Sequence, residues 1–130
     1  MPLIIFIHKE SAEKGDILKK AMEQNFHGTE IQIFKTMAAL KANLKQVSKY
    51  SDKEIFILLA DSEKRLTQLI PMIDVFEGRR LILILPNNSQ ATTSKAHKFF
   101  PRYFTYVSNN YDDLCSVLNK MMNPKTNINT

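Results

Sequence analysis

Apolar and polar positions along the chain fall into a unit that recurs five times: a short apolar run, one to four polar residues, then a stretch with helical spacing. The apolar runs are Leu3 to Ile7, Ile31 to Phe34, Ile55 to Leu59, Leu81 to Leu85 and Tyr103 to Val107. Runs of Ile, Leu, Phe and Val with little alternation suit strands covered on both faces. Strands that alternate with helices in this way imply a parallel sheet wrapped by helices. Such a sheet carries its functional loops at the carboxyl ends of the strands. Those loops are His8–Glu10, Asp61–Ser62, Pro86–Ser89 and Ser108–Asn110, and they contain little reactive chemistry.

The helical stretches carry their own start and stop signals. Ser11 suits an N-cap with Glu13 in the first turn; Ile17, Leu18, Ala21 and Met22 then share a face, and Gly28 can stop the segment in a left-handed conformation. Thr36 opens a second helix with Met37, Leu40, Leu44 and Val47 inward, while Lys41, Lys45 and Lys49 form a wet stripe. Ser62 caps a third helix through Leu66, Leu69, Ile70 and Ile73, which Pro71 should kink or restart. A fourth is expected to begin late, near Thr93, because side chains in Asn88–Ser94 compete for their own backbone; Pro101 ends it. In the fifth, Asn110 caps, Asp112 and Asp113 complement the dipole, and Leu114, Val117, Leu118 and Met121 make the stripe until Pro124.

At 130 residues the chain fits one domain, expected over residues 1–123, with a frayed polar tail at 124–130. A single cysteine, Cys115, excludes an internal disulfide framework and reads as a packing residue in the fifth helix. With no apolar leader and no apolar run near ~18 residues, a cytoplasmic protein without membrane contact is expected. The net charge is +5, but 18 basic residues are interspersed with 13 acidic ones, so nucleic acid is not the expected partner.

Five strand-helix units with an acidic residue closing the third strand, in Ile55-Phe56-Ile57-Leu58-Leu59-Ala60-Asp61, resemble the receiver domain of bacterial response regulators. The resemblance spans nearly the whole chain. It implies a doubly wound sheet in the order 2-1-3-4-5, a flavodoxin-like three-layer sandwich, with the first and fifth helices on one face and the others opposite. It also implies a phosphoacceptor aspartate after strand 3, an acidic pair holding Mg2+ after strand 1, a Ser or Thr after strand 4 and a Lys-Pro pair after strand 5. Asp61 matches the first of these. The remaining positions hold His8-Lys9-Glu10, Pro86-Asn87-Asn88 and Ser108-Asn109-Asn110. Mg2+ is usually held by one or two carboxylates with phosphate and water. Lys9 adds a positive charge there and leaves only Glu10 as a second acid, so a built-in cation is expected to approach Asp61 in place of the metal.

Other chemistry is sparse. Gly15, Gly28 and Gly78 are too few and scattered for a phosphate-binding loop, and His8, His27 and His97 show no metal spacing, so neither cofactor nor metal is expected. Phe99, Phe100, Tyr103, Phe104 and Tyr106 place five of the twelve aromatic residues around the fifth strand. At a sheet edge, rings with polar tips such as Tyr103 and Tyr106, with Phe104 between them, suit a protein partner or a second copy, and the receiver resemblance points to the same side. The alternative is that these rings cover the core. The expected function is a non-enzymatic signalling or protein-interaction module resembling a degenerate receiver. A working phosphoacceptor at Asp61 is the first alternative; a nucleic-acid-binding module using Lys41, Lys45 and Lys49 is the second.

Overall fold

Each apolar run forms a strand. In the computed structural model, which describes residues 2–46 and 54–122, β1 is Leu3–Phe6, β2 Ile31–Phe34, β3 Ile55–Leu59, β4 Arg80–Leu85 and β5 Tyr103–Tyr106. All pairings are parallel and the order is β2-β1-β3-β4-β5, which makes the chain a doubly wound, flavodoxin-like α/β protein. The burial explains the apolar runs. Central β1 and β3 are buried at every residue, whereas edge strand β2 is half-buried throughout.

The helices are α1 (Ala12–Asn25), α2 (Met37–Gln46), α3 (Glu63–Leu69), α4 (Ile73–Phe76), α5 (Gln90–His97) and α6 (Asp112–Met122). A 3-10 turn at Ile70–Met72 joins α3 to α4, as expected where Pro71 withholds a backbone donor. Side chains alternate along the strands, so each face has its own core. Leu3, Ile5, Ile57 and Ile82 pack with Leu18, Met22, Leu114 and Leu118 of α1 and α6. Ile4, Phe6, Phe56 and Leu83 pack with residues of α2 to α5, including Leu40, Leu66, Phe76 and Ala96. Burying each Leu, Ile or Phe stabilises the fold by roughly 1.5–3 kcal/mol relative to exposure.

Glycine sets the spacing on the first face. A Cβ at Gly15 would overlap the Cγ2 methyl of Ile7 and lie 3.3 Å from its Cβ, so α1 rests closer to the end of β1 than any side chain would permit. That approach also turns the helix from the face expected of it. Ile17, expected inward, is 57% exposed, and the buried stripe is Gly15, Leu18 and Met22. Gly28 takes φ +82 in the turn that follows α1.

Two helix starts differ from expectation. Ser11 occupies the N-cap position of α1 but makes no capping bond; its hydroxyl is buried without a partner, and His8 Nδ1 instead accepts from Glu10 N at 3.1 Å to cap the preceding 3-10 turn. The fourth predicted helix begins at Gln90 rather than near Thr93. Ser89 Oγ accepts from Thr92 N at 3.2 Å, so a residue expected to compete with the helix starts it. Thr36, Ser62 and Asn110 cap α2, α3 and α6 as expected, accepting from Ala39 N, Arg65 N and Asp112 N. Val47, Lys49, Pro124 and the segment 124–130 lie outside the described residues. Among the described residues, no helix is long and apolar enough to cross a membrane.

Candidate functional site

Parallel strands bring the loops after β1, β3, β4 and β5 to one edge of the sheet, and the backbone ladder extends past the strand ends to hold them. Ile7 N donates to Phe34 O at 2.9 Å, Ala60 N to Ile84 O at 2.8 Å and Val107 N to Leu85 O at 2.9 Å. The loops therefore start from fixed positions.

An ion pair at this edge joins Glu10 to Arg65. Arg65 lies one turn into α3 with its side chain only 10% exposed; Nη2 donates to Glu10 Oε1 at 2.8 Å and Nη1 to Gln68 Oε1 at 2.6 Å. Its buried Nε has no partner. The Arg65 hydrogen bond, followed by the charge of His8, holds the Glu10 carboxyl below its ordinary value. His8 is mostly buried, lies edge-on to Phe6 with ring centroids 6.2 Å apart, and places Nδ1 3.5 Å from Glu10 Oε1.

Asp61 is half-buried in the loop between β3 and α3. Among the described residues no basic nitrogen lies within 4.0 Å of its carboxylate, which overturns the expected cation beside Asp61. The cation of this edge is Arg65 and its acid is Glu10. Lys9 is exposed and lines a cavity toward β2, away from Asp61's loop. Beyond Asp61, Glu63 Oε1 takes Lys95 Nζ at 2.8 Å and ties α3 to α5.

The loop after β4 spends its polar side chains on itself. Asn87 Oδ1 accepts from Ser89 N at 3.0 Å and from the Thr92 hydroxyl at 2.8 Å, and Thr92 is fully buried. Pro86 occupies the first loop position, so no hydroxyl stands there. After β5, Ser108 is exposed and Asn109 Nδ2 donates to Thr105 Oγ1 at 3.3 Å. Among the described residues, no three His, Cys, Asp or Glu side chains group to hold a metal ion.

Comparison with protein-family models, with curated proteins and with solved structures gives no match. The chemistry of this edge is therefore read from its own residues.

Arg65 is the residue that sequence reading missed. Its position beside Leu66 and four residues before Leu69, on the flank of the buried stripe, was the available signal. The aromatic residues divide differently from the expected patch. Phe99 is buried; Tyr103 packs toward the α1 and α6 side, while Phe104 and Tyr106 pack on the other core with ring centroids 6.2 Å apart. All three β5 rings are half-buried. The exposed ring is Phe100, at 88%, which holds φ +48 between α5 and Pro101 and borders a cleft of about 370 Å3 with Phe76 and Arg79. Cys115 is buried, and burial raises its thiol pKa, which suits packing rather than nucleophilic chemistry.

Proposed function

We propose that this chain is a receiver-like signalling or protein-interaction module that works without Mg2+-dependent phosphorylation of Asp61. The observation that carries this reading is the engagement of Glu10. The one acid in the loop after β1 is held by a buried guanidinium at 2.8 Å, so the carboxylates that would recruit a divalent cation beside Asp61 are reduced to Asp61 itself. A guanidinium also places a permanent positive charge where a metal would otherwise supply one. Pro86 in place of a hydroxyl and Ser108-Asn109-Asn110 in place of a lysine support the same reading. Its output surface is assigned to the β5 and α6 side, where Tyr103 and Tyr106 keep part of their rings accessible.

The test uses NMR of the full chain with acetyl phosphate or beryllofluoride in the presence of Mg2+. Amide resonances around Asp61 are expected to stay in place. Saturable shifts that vanish in Asp61→Asn would reverse the assignment. One observation favours that second reading, a working phosphoacceptor: Asp61 is only half-buried and carries no ion pair among the described residues. The same experiment separates the two.

A further inference from the structure

Strand β2 and helix α1 leave a cavity of about 230 Å3 between them at the carboxyl edge of the sheet, on the side away from Asp61. Its construction follows from two periodicities. Residues 12, 15, 16 and 19 recur at helical spacing on one stripe of α1, and residues 33 and 35 alternate onto one side of β2. The floor is apolar: Ile7, Ile33 and the bare Cα of Gly15, whose lack of a Cβ lets α1 approach Ile7.

The rim is cationic. Lys9, Lys19 and Lys35 converge on this one volume from the loop after β1, from α1 and from the end of β2, and His8 adds an imidazole. Asp16 is the single acid in the wall, and none of the three lysines lies within 4.0 Å of a carboxylate among the described residues. Two other cations at this edge are paired, Arg65 with Glu10 and Lys95 with Glu63. Lys9 is fixed to the cavity by its backbone, since Lys9 N donates to Lys35 O at 3.1 Å. With three lysines against one aspartate the lining carries a net positive charge, which an anion placed in the cavity would offset.

We propose that this cavity binds a small phosphomonoester, with the phosphoryl dianion between Lys9, Lys19 and Lys35 and its carbon skeleton on Ile7 and Ile33. Ammonium groups act as point charges and suit a compact phosphate, whereas planar carboxylate recognition favours arginine, and no arginine lines the cavity. The volume sets the size. Pockets for drug-sized ligands run to about 300–1,000 Å3, so this smaller cavity suits a phosphate with a few carbon atoms. The site is independent of Asp61 and does not rest on the function proposed above.

The experiment is an NMR and calorimetric titration of the full chain at fixed ionic strength. The probes are glycerol 3-phosphate, inorganic phosphate and acetate. Saturable shifts are expected at the amides of residues 7–16 and 33–35, with glycerol 3-phosphate tighter than inorganic phosphate because of the apolar floor, and acetate weakest. Lys9→Gln and Lys35→Gln should each weaken binding about three- to tenfold without changing Tm, because both side chains are exposed. Asp61→Asn should bind as wild type does. Linear, non-saturating shifts, equal affinity for acetate, or unchanged affinity in the Lys9→Gln/Lys35→Gln double variant would overturn the proposal. Tighter binding of a single-stranded oligonucleotide that is lost in Lys9→Gln/Lys35→Gln would overturn it too and reassign the charge of the cavity to a nucleic-acid surface.

Discussion

Replacing Gly15 by alanine tests the closest approach in the fold. In the interior of an ordinary helix Gly→Ala stabilises by about 0.5–1 kcal/mol, because glycine loses more backbone freedom on folding. At position 15 the added Cβ would overlap Ile7 Cγ2, with Ile7 Cβ at 3.3 Å and Cδ1 at 3.4 Å. Rotating the Ile7 side chain moves Cγ2 but leaves Cβ where it is, and Ile7 is only 7% exposed at the end of a buried strand. The helix must therefore shift outward. Overpacking of this kind costs about 1–3 kcal/mol, which outweighs the propensity gain, so Gly15→Ala should lose about 1–2 kcal/mol net. For a domain of this size that lowers Tm by about 3–8 °C. The control is Ile7→Ala, which is destabilising alone but removes the overlapping Cγ2 and leaves only the Cβ at 3.3 Å, a contact that a shift of a few tenths of an ångström relieves. In that background Gly15→Ala should turn stabilising by about 0.5–1 kcal/mol. Urea unfolding of the four variants measures the coupling. If Gly15→Ala stabilises the chain while Ile7 is present, the reasoning about α1 is wrong.

Three further outcomes are expected. Arg65→Met should raise the Glu10 carboxyl toward its ordinary value near about 4.3, read by carboxyl NMR titration. The folded value lies below the unfolded one, so the contribution of the pair is present above about pH 4.3 and is lost as pH falls through the lowered folded value. Wild type and Glu10→Gln should accordingly separate at neutral pH and converge in acid; a constant difference across that range would refute the pairing. Phe100→Gly should raise stability by up to about 1 kcal/mol in thermal unfolding, since a left-handed residue costs roughly 1–2 kcal/mol and glycine returns part of that gain as chain entropy; a clear loss would mean that the ring packs. Tyr106→Ala should lower Tm as well as weaken association by ultracentrifugation, because its ring is half-buried against Phe104; an unchanged Tm would return β5 to a purely external role.

The strands were legible in the sequence because β1, β3 and β4 are covered on both faces, so Ile, Leu and Phe could run without interruption. Strand order then came from the receiver resemblance together with the right-handed crossover of parallel strands. The face of α1 was misread for a physical reason. Hydropathy centres the stripe on Ile17 and Leu18, but the closest packing is made by a residue with no side chain, and Gly15 adds nothing to an apolar pattern. The start of α5 was misread because Asn87, Ser89 and Thr92 have the same composition whether they disrupt a helix or cap it. The pairing of Glu10 with Arg65 was invisible for a different reason: 55 residues separate them, and the β1–β3 pairing brings them together. Sequence placed Asp61 at the right edge yet could not choose its neighbours.

The all-parallel sheet has a consequence for how the chain acquires its structure. Among the described residues no hairpin exists to nucleate it: even the nearest partners along the chain, Ile82 and Tyr103, are separated by α5 and its loops, and Leu3 pairs with both Ile31 and Ile55. Every strand pairing must close a long loop before it gains a contact, which places folding toward the slower, millisecond-to-second end for small domains. During synthesis from the amino terminus, β1 and β2 emerge well before β3. Until residues 55–59 arrive, the inner edge of Leu3–Phe6 presents unpaired donors and acceptors beside four apolar side chains. The vulnerable period for misassembly therefore ends when β3 docks, and substitutions that weaken Ile55 to Leu59 should reduce soluble yield more than their effect on equilibrium stability would suggest.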